Sequence, residues 1–211
     1  MNPLKLKVCG MKFAANIAAI AELQPDYLGF IFYDKSPRFI TDVSAELIKY
    51  IPAEIKTVGV FVDEDLDVVK QKVKLHQLKA VQLHGNETPN YCQQLKDSFN
   101  DLEVIKAFGM DEAFDFSNLE AYVSVVDYFL FDTKTKAHGG SGKTFDWQIL
   151  KQYSLDKPYF LSGGIDLEHA ASIKEIKDLR LYALDINSRF ETEPGVKDVG
   201  KIEAFVEKLE N

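Results

Sequence analysis

Tyr27-Leu28-Gly29-Phe30-Ile31-Phe32 and Val58-Gly59-Val60-Phe61-Val62 are apolar at nearly every position. A sheet with one face in water alternates apolar and polar side chains, so strands of this kind are expected to be buried on both faces, as parallel strands covered by helices are. Working outward from them, further apolar and β-branched runs give strand candidates at Leu4–Met11, Tyr27–Phe32, Thr57–Val62, Ala80–His84, Glu103–Phe108, Tyr128–Thr133, Pro158–Ser162 and Leu181–Ile186. Helical spacing recurs between them, at Ala14–Leu23, Val43–Ile51, Leu66–Leu75, Pro89–Phe99, Asn118–Val126, Asp146–Tyr153, Leu167–Ile176 and Val199–Leu209. Eight strand-and-helix units in 211 residues leave roughly 26 residues for each, near the roughly 30 of a βαβ unit. The expectation is an α/β fold, a closed (β/α)8 TIM barrel forming a single domain over residues 1–211. A doubly wound open sheet gives a similar alternation, usually with fewer strands. No Pro/Gly/Ser-rich linker or charge block divides the chain.

Composition narrows the function. With 46% hydrophobic and 27% charged residues, the chain reads as an ordinary globular protein. Its 33 acidic and 25 basic residues give a formal charge of −8, which argues against a nucleic-acid partner because broad binding of that kind needs a basic face. An anionic small molecule stays open, since a few backbone N–H groups hold a phosphate whatever the net charge. There is no secretory signal pattern, and no apolar run approaches the roughly 20 residues of a membrane helix. Two cysteines are too few for a disulfide framework, and the four histidines show no metal-ligand spacing. The expectations are a cytoplasmic location, no membrane partner, no metal, and a monomer or homodimer.

A barrel of this kind builds its active site at the carboxyl ends of its strands. The reactive residues there are Cys9, Arg38, Asp63, His84, Asp132, Ser162 and Asp185. A lone strand cysteine is usually a small buried hydrophobe, but Cys9 ends its strand just before a glycine, where a stabilised thiolate would serve as a base. Cys92 lies in a helical pattern and reads as structural. Asp132 either anchors a loop or, in an environment that raises its pKa, acts as a general acid. Strands one and six lie well apart on an eight-strand ring, so Cys9 and Asp132 are expected to face each other across a substrate. Arg38 follows Pro37 in a defined loop, where it is either solvated or forks onto a carboxylate. His84 lines the pocket or caps its strand, and Asp185 orients a hydroxyl or braces the last loop.

Ala137 through Thr144 fits a relaxed phosphate-loop pattern, with alanine in place of the first glycine. Such a loop leaves its strand directly and runs into a helix, whereas here Thr133-Lys134-Thr135-Lys136 intervenes and Phe145-Asp146 reads as a fresh cap. A glycine-rich lid is the better functional reading, and a plain loop the other. The turn Gly163-Gly164 after strand seven and Asn187-Ser188-Arg189-Phe190 after strand eight stand where barrels bind phosphate through backbone N–H groups and a short helix.

Taken in order, Lys7-Val8-Cys9-Gly10-Met11, Gly29-Phe30-Ile31-Phe32-Tyr33 with Lys35-Ser36-Pro37-Arg38, Val58-Gly59-Val60-Phe61 and Val81-Gln82-Leu83-His84-Gly85-Asn86-Glu87 form a specific series. Asp132-Thr133 with Gly139-Gly140-Ser141-Gly142-Lys143-Thr144-Phe145-Asp146-Trp147, Ser162-Gly163-Gly164 and Pro194-Gly195-Val196-Lys197-Asp198 extend it. Over essentially its full length the chain resembles the phosphoribosylanthranilate isomerases of tryptophan biosynthesis. The resemblance implies a (β/α)8 barrel that converts N-(5′-phosphoribosyl)anthranilate by an Amadori rearrangement, with Cys9 as general base, Asp132 as general acid and Arg38 on the anthranilate carboxylate. It implies neither metal nor organic cofactor, because the cationic imine formed on ring opening itself acidifies the C2′ proton. Two positions depart from the family: Asn187-Ser188-Arg189-Phe190 replaces a Ser-Ser-Gly-Val type of turn, and Ser162 stands where alanine is common. The alternatives are a related phosphosugar barrel, expected to use a lysine or a carboxylate/metal base, and a non-catalytic sugar-phosphate binder.

Overall fold

The computed structural model describes residues 4–43, 45–133 and 146–210. Its eight strands are β1 (Lys5–Cys9), β2 (Tyr27–Ile31), β3 (Lys56–Phe61), β4 (Ala80–Leu83), β5 (Glu103–Met110), β6 (Tyr128–Thr133), β7 (Tyr159–Leu161) and β8 (Leu181–Ile186). They run parallel in chain order and close into a barrel, β1 pairing with β8 through Lys7↔Asp185 and its neighbours. The strands are buried on both faces, as the apolar runs require. One phase of the alternation packs Tyr27, Val58, Ala80, Ile105, Leu130, Phe160 and Ala183 together. The other phase, with Val8, Leu28, Val81, Phe129 and Leu184, joins the larger core beneath the helices.

The helices are α1 (Ala14–Ala21), α2 (Ala45–Ile48), α3 (Leu66–His76), α4 (Pro89–Ser98), α5 (Ala170–Lys174) and α6 (Val199–Glu210). Local chemistry starts two of them: Asp65 accepts from Asp67 N at 2.8 Å ahead of α3, and Thr88 caps α4 with Pro89 in its first turn. Four expected helices are corrected. Val43–Ile51 shortens to the single turn of α2, and Leu167–Ile176 divides into a 3-10 turn, Leu167–His169, followed by α5. Asn118–Val126 and Asp146–Tyr153 become 3-10 helices at Phe116–Tyr122 and Trp147–Gln152. In each, apolar residues recur every three positions, Phe116, Leu119 and Tyr122 in one and Trp147 and Leu150 running on to Tyr153 in the other, a spacing that a three-residue turn keeps in line.

One element was not anticipated. After β8 and a 3-10 turn at Ser188–Phe190, the chain forms a hairpin of β9 (Glu191–Glu193) and β10 (Val196–Lys197) around Pro194-Gly195. Asn16 of α1 pins this hairpin, donating to Lys197 O at 2.9 Å and accepting from Lys197 N at 2.7 Å. At the amino end of the barrel Tyr27 donates to Glu103 at 3.0 Å and meets Tyr182 OH at 3.1 Å, while Tyr128 stacks on Tyr182. That plug of tyrosines leaves the carboxyl mouth as the open one. Among the described residues, no helix is long and apolar enough to cross a membrane.

Candidate active site

A cavity at the carboxyl ends of the strands is lined by Cys9, Arg38, His84, Asp132, Gly163, Gly164, Asp185, Asn187 and Ser188, with Gln82, Ser162 and Arg189 among their neighbours. Of the reactive residues expected at the strand ends, all but Asp63 open onto this one mouth. Asp63 does not join them: it accepts from Asn86 N and, at 3.1 Å, from Asn86 Nδ2, bracing the loop after β4.

Cys9 sits at the end of β1 opposite Gly29 of β2, and that glycine makes room for its sulfur: a Cβ on residue 29 would lie 2.8 Å from Cys9 Sγ. Burial pushes the thiol up from its usual range, while the ammonium groups of Lys7 and Lys197 pull it down. Two residues back on the same face, Lys7 is wholly buried and donates to Asp185 Oδ1 at 2.8 Å. Burial alone would lower the Lys7 pKa, but Asp185 and Cys9 outweigh it and the pKa rises. Asp185 moves up because it is buried, Lys7 pulling against that. Asp185 is thus the partner of a buried lysine through Oδ1, and it lines the cavity.

On the wall formed by β6, Asp132 is held by both oxygens. Its Oδ1 accepts from Thr133 N at 2.8 Å, and its Oδ2 stands 3.3 Å from His84 Nε2. Gln82 Nε2 lies 3.0 Å from His84 Nδ1, which leaves Nε2 as the ring N–H facing Asp132. Gln82 Oε1 is buried with no hydrogen-bond partner. Gly163, at φ +89°, backs directly onto this acid, since a Cβ there would lie 2.5 Å from Thr133 N and 3.0 Å from Asp132 Oδ1.

Arg38 is not solvated. Its Nε reaches the two Glu191 oxygens at 2.9 and 3.0 Å and its Nη2 donates to Oε2 at 2.6 Å, so the Nη1 side is the edge turned from Glu191. Glu191 also accepts from Lys197 Nζ at 2.5 Å, and Lys197 donates to Asn187 Oδ1 at 2.7 Å. Burial lowers the Lys197 pKa to about 8. Glu191 stays below the ordinary carboxylate range because Arg38 and Lys197 outweigh its burial. Gly10, at φ +78°, lets this cluster close in beside Cys9: a Cβ there would lie 2.6 Å from Arg38 Cδ and 2.8 Å from Asn187 Oδ1.

This arrangement offers a thiol, a carboxyl–imidazole pair and a fixed guanidinium around one small space. Among the described residues, no group of three or more His, Cys, Asp or Glu could hold a metal ion. Residues 6–208 match the family model described as N-(5′-phosphoribosyl)anthranilate (PRA) isomerase. The chain belongs to the PRA isomerase family. A PRA isomerase of Parabacteroides distasonis is 40% identical over 206 residues, covering 97% of this chain and 92% of that one. The crystal structure of the Thermotoga maritima isomerase aligns with a TM-score of 0.84 at 34% identity over 99% of both chains. Another, a PRA isomerase in complex with reduced 1-(o-carboxyphenylamino)-1-deoxyribulose 5-phosphate, aligns at 0.81 with 30% identity over 99% of both.

Against PRA isomerases generally, the departures noted in the sequence have local consequences. Ser162 donates weakly to Asp185 O and Oδ2, both at 3.4 Å. Asn187 is recruited by Lys197, and Arg189 opens onto the cavity at an exposed position. Residues 134–145, including the glycine-rich segment weighed as a lid, lie outside the described residues.

Four contributors to the site were not anticipated: Lys7, Gln82, Glu191 and Lys197. Lys7 and Gln82 carried a signal, a polar side chain in the middle of an apolar strand (Leu6-Lys7-Val8 and Val81-Gln82-Leu83), on the same phase as the site residues Cys9 and His84 two positions on. Glu191 and Lys197 carried none that spacing alone could reveal, because their roles depend on the hairpin.

Proposed function

We propose that Cys9 and Asp132 are the general base and general acid of the reaction for which the family is named, with Arg38 holding the substrate's carboxylate. The chain is an isomerase of tryptophan biosynthesis that converts N-(5′-phosphoribosyl)anthranilate to 1-(2-carboxyphenylamino)-1-deoxyribulose 5-phosphate. The observation that carries the assignment is that a thiol, a carboxyl and a guanidinium, far apart in sequence, open onto one cavity at the carboxyl mouth.

Asp132 Oδ2 gives a proton to the ribose ring oxygen, the C1′–O bond opens, and the nitrogen lone pair forms the cationic imine. His84 Nε2 stands 3.3 Å from Asp132 Oδ2 and keeps that carboxyl oriented toward the ring oxygen. Cys9 as thiolate then removes the C2′ proton, and the C–H electron pair moves toward the imine to give an enolamine that tautomerises to the ketose. Arg38 approaches the anthranilate carboxylate by the edge that Glu191 leaves. Gly163, Gly164, Asn187 and Ser188 surround the place for the phosphate, and Arg189 at the rim adds a charge there. A related isomerase binds a reduced form of this product, which supports a phosphorylated small molecule as the ligand here.

The test follows the loss of phosphoribosylanthranilate fluorescence in the parent, Cys9→Ala and Asp132→Asn. Each substitution is expected to lower kcat by about 10²-fold or more, the scale of lost general acid–base catalysis. Turnover like the parent's in both variants would assign the proton transfers elsewhere. Arg38→Ala is expected chiefly to raise KM, and binding without turnover in the parent would favour a sugar-phosphate carrier.

A further inference from the structure

Lys7 is a wholly buried cation inside a closed ring of strands, and proton transfer as described above gives it no part. Its ammonium hydrogen-bonds Asp185 at 2.8 Å, Cys9 lies two residues further along the same face of β1, and Cys9 and Asp185 line one cavity. Holding β1 against β8 does not account for it, because those strands already share four register pairs of backbone. Stability does not account for it either: taking two charges out of water costs several kcal/mol apiece, and replacing such a pair by well-packed apolar groups is often neutral or stabilising. The layer below is filled by apolar side chains such as Phe160 and Val58, so an apolar side chain is the ordinary way to fill the interior. What an apolar residue at position 7 cannot provide is positive charge beside the thiol.

We propose that Lys7 is a positioning residue for catalysis: it is the fixed counter-ion that stabilises the Cys9 thiolate, with Asp185 anchoring its ammonium in place. The inference rests on the reading of Cys9 as the base. Burial disfavours the thiolate most, and Lys7 supplies the largest opposing influence. The other groups around Cys9 are Asp185 on β8, which works against the thiolate, and Lys197 on β10, which favours it. Arg38 approaches from the loop after β2, and His84 and Asp132 line the same cavity from β4 and β6. Lys197 is shared with Glu191 and Asn187, whereas Lys7 is anchored by Asp185 on the same face as Cys9. Charging the thiol therefore turns a pair, Lys7 and Asp185, into a triad with the cation between two anions.

The experiment measures how fast iodoacetamide alkylates Cys9 as a function of pH in the parent and in Lys7→Met, with peptide mapping by mass spectrometry to separate Cys9 from Cys92. Removing an opposite charge at this range is expected to move the midpoint for Cys9 upward by about 1–3 pH units. The limb of the kcat profile that follows thiolate formation should move by the same amount, so that kcat at pH 7 falls about 10- to 10³-fold and recovers in alkali, with KM within about threefold. Cys92, in α4, serves as the internal control. Should Lys7→Met fail to fold with Asp185 left unpaired, the double variant Lys7→Met/Asp185→Asn removes both charges, and its alkylation midpoint should still lie above the parent's. A midpoint for Cys9 unchanged in the folded variant overturns the proposal and makes Lys7 a strut. A shifted midpoint with turnover untouched upholds the charge pairing and instead removes Cys9 from the role of base, a failure that Cys9→Ala reports separately.

Discussion

Glu191→Gln probes the element that was least expected, the hairpin that carries Glu191 and Lys197. In the parent, Glu191 is almost fully buried and takes hydrogen bonds from Arg38 Nε and Nη2, from Lys197 Nζ and, at 3.1 Å, from Gly195 N. Loss of the carboxylate would at first sight leave two buried cations without an anion. Lys197 relieves this. Its pKa is already about 8 with Glu191 beside it, and Glu191 is the foremost influence raising it, so in the variant it falls further and the neutral lysine is favoured. The cluster then keeps one positive charge on Arg38, as before, and loses its orientation instead. Breaking a buried pair costs about 3–5 kcal/mol, and discharge of Lys197 places this case at about 3. For a domain of this size that is a fall in Tm of roughly 6–12 °C. With Arg38 less well fixed, KM should rise about tenfold, a loss of about 1.4 kcal/mol, while kcat changes less. The sign with pH is also set. Glu191 has a folded pKa below its ordinary 4.5, so its contribution is complete above that value and is lost as pH falls through the lower folded one. The gap in stability between parent and variant should therefore hold from neutrality down to about pH 4.5 and narrow below it. Thermal unfolding followed by circular dichroism and steady-state kinetics measure both effects. A Tm within about 1 °C of the parent together with an unchanged KM would refute the claim that Glu191 fixes Arg38.

Three further perturbations address the same mouth. Gly163→Ala sets a Cβ against Thr133 N and Asp132 Oδ1 at φ +89°, and should cost about 1–3 kcal/mol and lower kcat at least tenfold by displacing the acid, seen in a melt and a rate assay. Gly29→Ala crowds Cys9 Sγ at 2.8 Å and Cys9 Cα at 3.1 Å; overpacking of about 1–3 kcal/mol and a slowed proton abstraction are expected, whereas unimpaired kcat would show that the thiol does not depend on this space. Lys197 holds its proton less tightly folded, at about 8, than unfolded, at 10.5, so the unfolded chain binds more protons between those values and stability gains from this group as pH rises through that window. Chemical denaturation of the parent against Lys197→Met should show the parent gaining up to about 3 kcal/mol on the variant between pH 8 and 10.5.

Much of the fold was legible because it is written in local pattern. The apolar runs at Tyr27–Phe32 and Thr57–Val62 implied burial on both faces, and burial on both faces implied parallel strands under helices. The two 3-10 helices were less legible, because Phe116, Leu119, Tyr122 and Trp147, Leu150, Tyr153 recur every three residues, a spacing that an α-helix spreads over about 120° and a 3-10 turn keeps in line. The hairpin had its own mark in Pro194-Gly195, a pair suited to a turn with positive φ at its second residue, and Gly195 does stand at φ +89°. Position at strand ends singled out Cys9, Asp132 and His84. The ionic partners were hidden for a different reason. Lys7 meets Asp185 across 178 positions and Arg38 meets Glu191 across 153, contacts that exist only once the last strand has closed the ring against the first.

The same closure resolves how a chain of charge −8 presents a mouth for an anion. Around the cavity, three basic side chains lie buried (Lys7, Arg38 and Lys197) beside the carboxyl groups of Asp185, Glu191 and Asp132, and every member has a partner. Burial makes such pairing obligatory, because an unpaired charge there costs far more than its partner does. At the rim, Lys35 and Arg189 are exposed and bring positive charge to the mouth. Exposed charges are screened over about 10 Å in ordinary salt, so these two steer a carboxylate or phosphate toward the opening rather than hold it. Recognition then falls to groups that water cannot screen. On the proposed reading, Arg38, its orientation already fixed by Glu191, would meet the incoming carboxylate without first giving up rotamer freedom, and the backbone turns at Gly163 and Ser188 would do the same for a phosphate. Salt should therefore slow capture of the substrate more than it loosens the bound complex, since the first depends on the rim and the second on the buried pairs.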